Sequence, residues 1–211
     1  MSVEMIAKLA QPEQQERPRG SERDAALVAR ARRGDAGAFQ ALFDLYQGTV
    51  YRIALRMVGH PDDAADLTQE TFIRAYRQLA TVRDAAYFGR WIRMIATNIC
   101  RDYLKRARPT IYSLDAPPPG GGYDLTEWEL PSPAENGEQR VMADALKTAL
   151  ADALAALSAD HRAVVVLHHL EGLPVEEIAL TLAVPVGTVK SRLARARADL
   201  RHRLAAFLAG A

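Results

Sequence analysis

The chain is 211 residues long and 49% hydrophobic, which allows one domain or two small ones with a real core. Its 27 Lys and Arg against 26 Asp and Glu leave a net charge of +1, so no overall field commits it to a polyanion or a cation. A single cysteine excludes an internal disulfide, no apolar run reaches the ~20 residues of a membrane span, and the N-terminus, with Glu4, Glu13 and Glu16, lacks the apolar centre of a secretion signal. A cytoplasmic protein with no membrane insertion is expected.

Residues 1–20 are polar, with Pro12, Pro18 and Gly20, and are expected to be disordered. A helical pattern begins near Ser21 and stops at Gly34. Asp35 is placed to cap a second helix in which Phe39, Leu42, Phe43, Tyr46, Val50, Ile53 and Met57 keep helical spacing. Gly59-His60-Pro61 breaks that run. Asp62 or Asp63 is expected to cap a third helix reaching Leu79, and a fourth runs from about Tyr87 to Lys105. Residues 21–109 form the first module. Residues 110–139, with Pro117 to Pro119, Gly120 to Gly122, Pro131 and Pro133, read as a linker, within which Trp128 is unexpected.

Helical pattern resumes near Arg140 with Leu146, Leu150, Leu154 and Leu157. Ser158 or Asp160 is expected to cap the next helix, and Gly172 to stop it. Two helices follow, joined by a tight break, with Pro185 expected in the first turn of the second. No strand alternation occurs. The expected fold class is all-α: two small helical domains, the second spanning 140–208, joined by a flexible linker.

The near-zero net charge hides segregation. Residues 101–108 carry Arg101, Lys105, Arg106 and Arg108 against Asp102. Residues 186–203 carry six Lys and Arg against Asp199. The linker has no cation at all, and holds Asp115, Asp124, Glu127, Glu129, Glu135 and Glu138. This local pattern, rather than the sum, bears on partners.

Three helix faces stand out. On the third helix, Ala64, Thr68, Thr71, Phe72, Ala75 and Leu79 form the apolar side, and opposite them lie Asp66, Gln69, Glu70, Ile73 and Arg77. An isoleucine among acids and amides suits a protein-binding surface; it also suits a solvated face with one stray apolar residue. On the fourth helix, Tyr87, Phe88, Trp91 and Tyr103 alternate with Arg90, Arg93, Arg101, Lys105 and Arg106, and Asn98 shares the face of Trp91. Cations that follow a backbone, aromatics that stack and an amide that reads an edge suit single-stranded nucleic acid. Core packing is the competing reading, strong for Phe88, Ile95 and Ile99 and weaker for Trp91 and Asn98. On the last helix, Val189, Leu193, Ala196 and Leu200 form a narrow apolar back, and Gly187, Ser191, Ala194 and Ala198 a small-residue front. Thr188, Lys190, Arg195 and His202 flank that front, a shape suited to a phosphate-lined groove.

No nucleophile elbow, phosphate loop or metal-spaced Cys/His set is present. His168 and His169 are adjacent and so do not share a helix face, which favours a structural role; Cys100 reads as a partly buried bystander. No enzyme, cofactor or metal is expected.

In GDAGAFQALFDLYQGTVYRIALRMVG, DDAADLTQETFIRAYRQL, FGRWIRMIATNICRDYLKR and LPVEEIALTLAVPVGTVKSRLARARADLR, taken in this order, the chain resembles the bacterial extracytoplasmic-function (ECF) sigma factors. These are promoter-specificity subunits of RNA polymerase. The resemblance spans about residues 22–109 and 140–205. It implies that Asp66, Gln69, Glu70, Ile73 and Arg77 contact the clamp of the polymerase β′ subunit. It also implies that Trp91, Asn98, Arg101 and Lys105 lie at the opened downstream (minus-ten) element, with Asn98 near a flipped-out base. Lys190, Ser191 and Arg195 would then face the upstream (minus-thirty-five) duplex, with Thr188 and Arg192 at phosphates. An anti-sigma protein is a further implied partner, and the acidic linker would thread toward the RNA exit path. The chain departs from the family at Arg83 to Tyr87, where a glycine-acid-serine-serine stretch is usual, and at Pro174, where a serine cap is common. The alternative reading is a helix-turn-helix regulator that binds duplex DNA without directing polymerase.

Overall fold

A computed structural model describes residues 22–82, 84–107 and 137–209. The expectations for the tail 1–20, for Trp128 and for most of the linker lie outside the described residues. Among the described residues eight α-helices follow in order: α1 (Glu22–Arg32), α2 (Ala36–Val58), α3 (Pro61–Gln78), α4 (Phe88–Ala107), α5 (Gly137–Ala156), α6 (Ala159–Val165), α7 (Val175–Leu182) and α8 (Val186–Ala209). Short 3₁₀ turns at Leu79–Thr81 and Ala85–Tyr87 connect α3 to α4. Among the described residues there is no strand.

The helix ends follow local chemistry. Asp35 accepts a hydrogen bond from the Ala38 amide at the start of α2, and Ser158 accepts from the His161 amide at the start of α6. Gly59 closes α2 in the left-handed region (φ 88), where a side chain would be strained. The start of α3 differs from expectation. His60 occupies the cap position but its side chain makes no capping bond, Pro61 opens the helix, and Asp62 and Asp63 lie in the first turn, favourable to the helix dipole but not caps. Pro185 lies one residue before α8 rather than inside it, and its carbonyl accepts the first amides of that helix.

After α6 the chain does not stop at once. Val166–Leu170 forms a single π-helical turn, closed by the Glu171 amide on the Val166 carbonyl at 2.9 Å. Gly172 then turns the backbone (φ 67) toward α7.

Helices α1 to α4 pack around Val28, Leu42, Val50, Ile53, Met57, Phe72, Phe88, Ile92 and Ile99. Each large side chain buried there contributes about 1.5–3 kcal/mol. The second module does not stand apart on its tether. Val164, Val166, Leu167, Ile178, Val189 and Leu193 continue the same core, with α4 against α6 and α7, and α2 against α6 and the π turn. Arg162, itself buried, donates to the Met57 carbonyl at the C-terminal end of α2 and so ties α6 to the first module. Cys100 is wholly buried, deeper than expected, and burial pushes its thiol up to about 12.

Candidate nucleic-acid interface

The outward side of α3 is built by its periodicity. Ala64, Thr68, Thr71, Phe72, Ala75 and Leu79 are buried as expected. The two threonines turn their hydroxyls onto the Ala64 and Leu67 carbonyls, so they enter the core with their polar atoms satisfied. Asp66, Gln69, Ile73 and Arg77 are exposed, and Glu70 is half-buried in a 2.6 Å pair with Arg74. Ile73 is 52% exposed, and Tyr76, which sequence reasoning missed, is 57% exposed. The Tyr76 ring stands edge-on to Phe39 at 4.9 Å, which holds it upright beside Ile73. Together they make a two-residue apolar centre with a charged rim.

On α4 the core reading holds for Phe88, Ile95 and Ile99, all buried. Trp91 is half-buried, with its ring 5.6 Å from that of Phe88. Tyr87 is exposed, and the Arg90 guanidinium lies 4.6 Å over its ring. A hydrogen bond from Tyr103 to Asp63, with burial, raises the phenol above its usual range and fastens α4 to the start of α3. Lys105 projects into solvent. Asn98 does not: its Oδ1 accepts from Arg101 Nη1 at 3.3 Å.

On α8, Val189, Leu193 and Ala196 are buried, and Lys190, Ser191, Ala194, Arg195 and Ala198 are exposed. Ser191 returns its hydroxyl to the Thr188 carbonyl at 3.0 Å. The turn before α8 places Ala183 in the left-handed region (φ 52), a conformation that costs a non-glycine residue about 1–2 kcal/mol. Arg192 leaves the outward row and turns toward α6, at the seam with the first module.

There it meets a residue that sequence reasoning treated only as a possible cap. Asp160 receives Arg101 Nε on one oxygen at 2.7 Å and Arg192 Nη2 on the other at 3.2 Å. Burial pushes the Asp160 carboxyl up, but the hydrogen bond and charge of Arg101, with Arg192 and Lys105 behind it, hold it below its usual range. The structure therefore brings Asn98, Arg101 and Arg192 together around Asp160, with the Lys105 charge near, and shows no contact of Trp91, Lys190, Ser191 or Arg195 with that cluster. Among the described residues no group of three or more His, Cys, Asp or Glu could hold a metal ion. No described helix is long and apolar enough to cross a membrane.

The chain is similar to known proteins in sequence and fold. Residues 42–110 match sigma-70 region 2 and residues 147–200 match sigma-70 region 4. The ECF RNA polymerase sigma factor SigW of Bacillus subtilis is 33% identical over 178 residues, covering 84% of this chain and 94% of that protein. Among solved structures, CnrH in complex with the cytosolic domain of CnrY is 27% identical with a TM-score of 0.61, covering 88% of this chain and 99% of CnrH. The sigma factor RpoE of Bartonella quintana, solved with the anti-sigma factor NepR, shares the fold at 24% identity and a TM-score of 0.55, covering 79% of this chain and 96% of that one.

Proposed function

The chain belongs to the ECF family of RNA polymerase sigma factors, and from that membership we propose how its helices divide the work of initiation. As a sigma factor it joins polymerase core and recognises promoter DNA; it is not an enzyme, and bond formation belongs to the polymerase. Helix α3 docks on the clamp of the β′ subunit through Ile73 and Tyr76, with Asp66, Gln69, Glu70 and Arg77 as the charged rim. The observation that carries this reading is the open Ile73–Tyr76 pair on a module separate from the DNA-binding helix. A regulator that only binds duplex has no use for such a pair.

Helix α4 meets the opened downstream element. Trp91 offers a stacking face, Asn98 an amide to a flipped-out base, and Arg101 and Lys105 charge to the backbone. A pocket that receives an unstacked base favours melting without ATP, because it returns the few kcal/mol that unstacking costs. Helix α8 enters the upstream major groove, with Lys190, Ser191 and Arg195 at base edges and Thr188 and Arg192 at phosphates. Gly187, Ala194 and Ala198 let the helix approach closely. The domain division at 21–109, 110–139 and 140–208 follows the same roles. An anti-sigma protein fits as a further partner, since the CnrH and RpoE neighbours are each solved with a bound protein partner. Work on polymerase core places the chain in the cytoplasm.

Transcription from fragmented genomic DNA by core polymerase, with and without the purified chain, tests the assignment. New start sites preceded by a common pair of elements are expected. Binding to duplex fragments without any new start site would instead establish a simple helix-turn-helix regulator.

A further inference from the structure

Arginines of this chain close on backbone carbonyls far away in sequence. Arg162 reaches the Met57 carbonyl, and Arg56 reaches the Leu170 carbonyl at 2.7 Å and Glu171 at 2.6 Å; both fasten the second module to the first. Arg32 is different. It ends α1 and fastens the first module to itself, at the connection between α3 and α4. Its Nε donates to the Leu79 carbonyl at 3.1 Å and its Nη2 to the Val82 carbonyl. Both acceptors are neutral, so the contact is a fork on backbone and not an ion pair.

The connection needs that fork. The last carbonyls of a helix have no partner within it. At the end of α3, Thr81 donates its hydroxyl to the Gln78 carbonyl at 2.7 Å. The 3₁₀ turn Leu79–Thr81 is closed by the Val82 amide on the Leu79 carbonyl at 3.4 Å, a long bond. Arg32 supplies a shorter one and goes on to the Val82 carbonyl, and its charge suits the negative end of α3. Further along, Asp84 caps the turn Ala85–Tyr87 by accepting from the Ala86 amide at 3.1 Å, and α1 packs against that turn too. One helix thus holds both ends of the connection. What the connection presents is Tyr87, 40% exposed, with the Arg90 guanidinium 4.6 Å over its ring. The pair stands about one helical turn ahead of Trp91. An aromatic face beside a cation suits an unpaired base and its phosphate.

We propose that Arg32 is a positioning residue for base choice at the downstream element. It acts through the backbone and not on DNA. By capping α3 from α1 it fixes the connection that carries Tyr87 and Arg90, and so sets where a ring and its cation meet the unpaired strand. The planar guanidinium spans two carbonyls at once; a lysine ammonium keeps the charge and loses the fork. The inference rests on the assignment of α4 to opened DNA given above.

The test uses holoenzyme assembled from polymerase core and the full chain. Its template is a promoter from which the wild-type chain initiates, with the downstream element randomised and the upstream element kept. Sequencing the templates that yield transcript gives a base preference at each position. Arg32→Lys and Arg32→Ala are both expected to lose about fivefold or more of that preference at one or more downstream positions, the lower end of what one read base pair is worth. Binding to an upstream-element duplex is expected to stay unchanged. Tyr87→Ala is expected to relax the same positions. Arg32→Lys separates the roles, because a phosphate contact survives the exchange of one cation for another. Wild-type preference in Arg32→Lys, with Arg32→Ala weaker on every template alike, overturns the proposal. An unchanged profile in both variants overturns it as well, even where their melting temperatures fall, since the cap would then serve stability alone. Relaxation by Tyr87→Ala at other positions than those of the Arg32 variants has the same consequence. If Tyr87→Ala alters the profile and the Arg32 variants do not, only the positioning role falls. If wild-type holoenzyme initiates nowhere or shows no downstream preference, the assignment of α4 falls and takes the positioning role with it.

Discussion

Gly89 lies directly against Tyr46. A Cβ at position 89 would stand 2.8 Å from the Tyr46 hydroxyl oxygen and 2.9 Å from the ring. That hydroxyl donates to Asp24 at 2.5 Å, and the Tyr46 ring lies 5.5 Å from Phe88, which in turn packs on Trp91. One missing methyl group thus lets α4 approach α2 and sets an aromatic row that ends at the proposed base-stacking residue. Gly89→Ala is expected to cost about 1–3 kcal/mol by forcing Tyr46 off its bond or α4 off its partner. Urea unfolding reads the loss, and an unchanged midpoint would mean that Tyr46 yields freely.

Ile73→Glu puts a charge at the centre of the apolar pair on α3. Truncating or charging a central anchor of an interface typically costs 2 kcal/mol or more, about 30-fold in affinity. Core-polymerase binding by the purified variant is expected to fall by at least that much with helicity unchanged, since the position is open to solvent in the free chain. Tyr76→Ala should behave alike. Full retention of binding by both would remove α3 from the polymerase interface.

Asn98→Ala separates binding from opening. Duplex recognition by α8 does not involve this residue, so closed complexes are expected to form normally. Opening, followed by permanganate attack on unpaired thymines, is expected to lose about 1–3 kcal/mol of drive if the amide reads an extruded base. Equal reactivity in both proteins would leave Asn98 as a ligand of Arg101 alone.

Arg195 is exposed on the outward row of α8, with no ion pair of its own among the described residues. If it reads a base, Arg195→Ala should cost about 1–3 kcal/mol on the preferred upstream element and relax selectivity at one position. A loss of the same size on every duplex would make it a phosphate contact.

The π turn carries a pH signature. Burial, helped by the charges of His168 and Arg197, pulls the His169 imidazole from 6.5 down to about 4. The unfolded chain therefore takes up this proton first as the medium acidifies. The stability due to neutral His169 is complete above pH 6.5 and drains away as pH falls toward 4. With solvent screening at a half-buried ring, a loss on the order of 1–2 kcal/mol is expected across that window. His169→Gln should flatten this part of the melting-temperature profile.

The helices were legible in the sequence because their buried stripes recur at a period of 3.6, and because Asp35 and Ser158 mark helix starts with capping side chains while Gly59 marks an end with a backbone free to turn left-handed. The α3 surface was legible for the converse reason: Ile73 breaks the polarity of an outward row. Tyr76 was not, since a ring half-packed on Phe39 belongs to neither side of a helical wheel. Asp160 escaped notice because its meaning lies 59 residues upstream at Arg101 and 32 downstream at Arg192. No local pattern announces a carboxylate shared across two modules. Its position two residues after Ser158 offered a sufficient local explanation in helix capping, and that explanation turned out to belong to the serine.

The π turn at Val166–Leu170 also fixes a phase. One extra residue in the turn offsets everything after it by about 100° around the helix axis. Healing the turn to a plain α-helix by deleting His169 would leave every helix of the second module intact and still swing Glu171 away from Arg56. The reading helix would then face a different quarter. The aim of the DNA-binding unit is thus held by a count of residues, and insertions or deletions here are far less tolerable than substitutions of similar size.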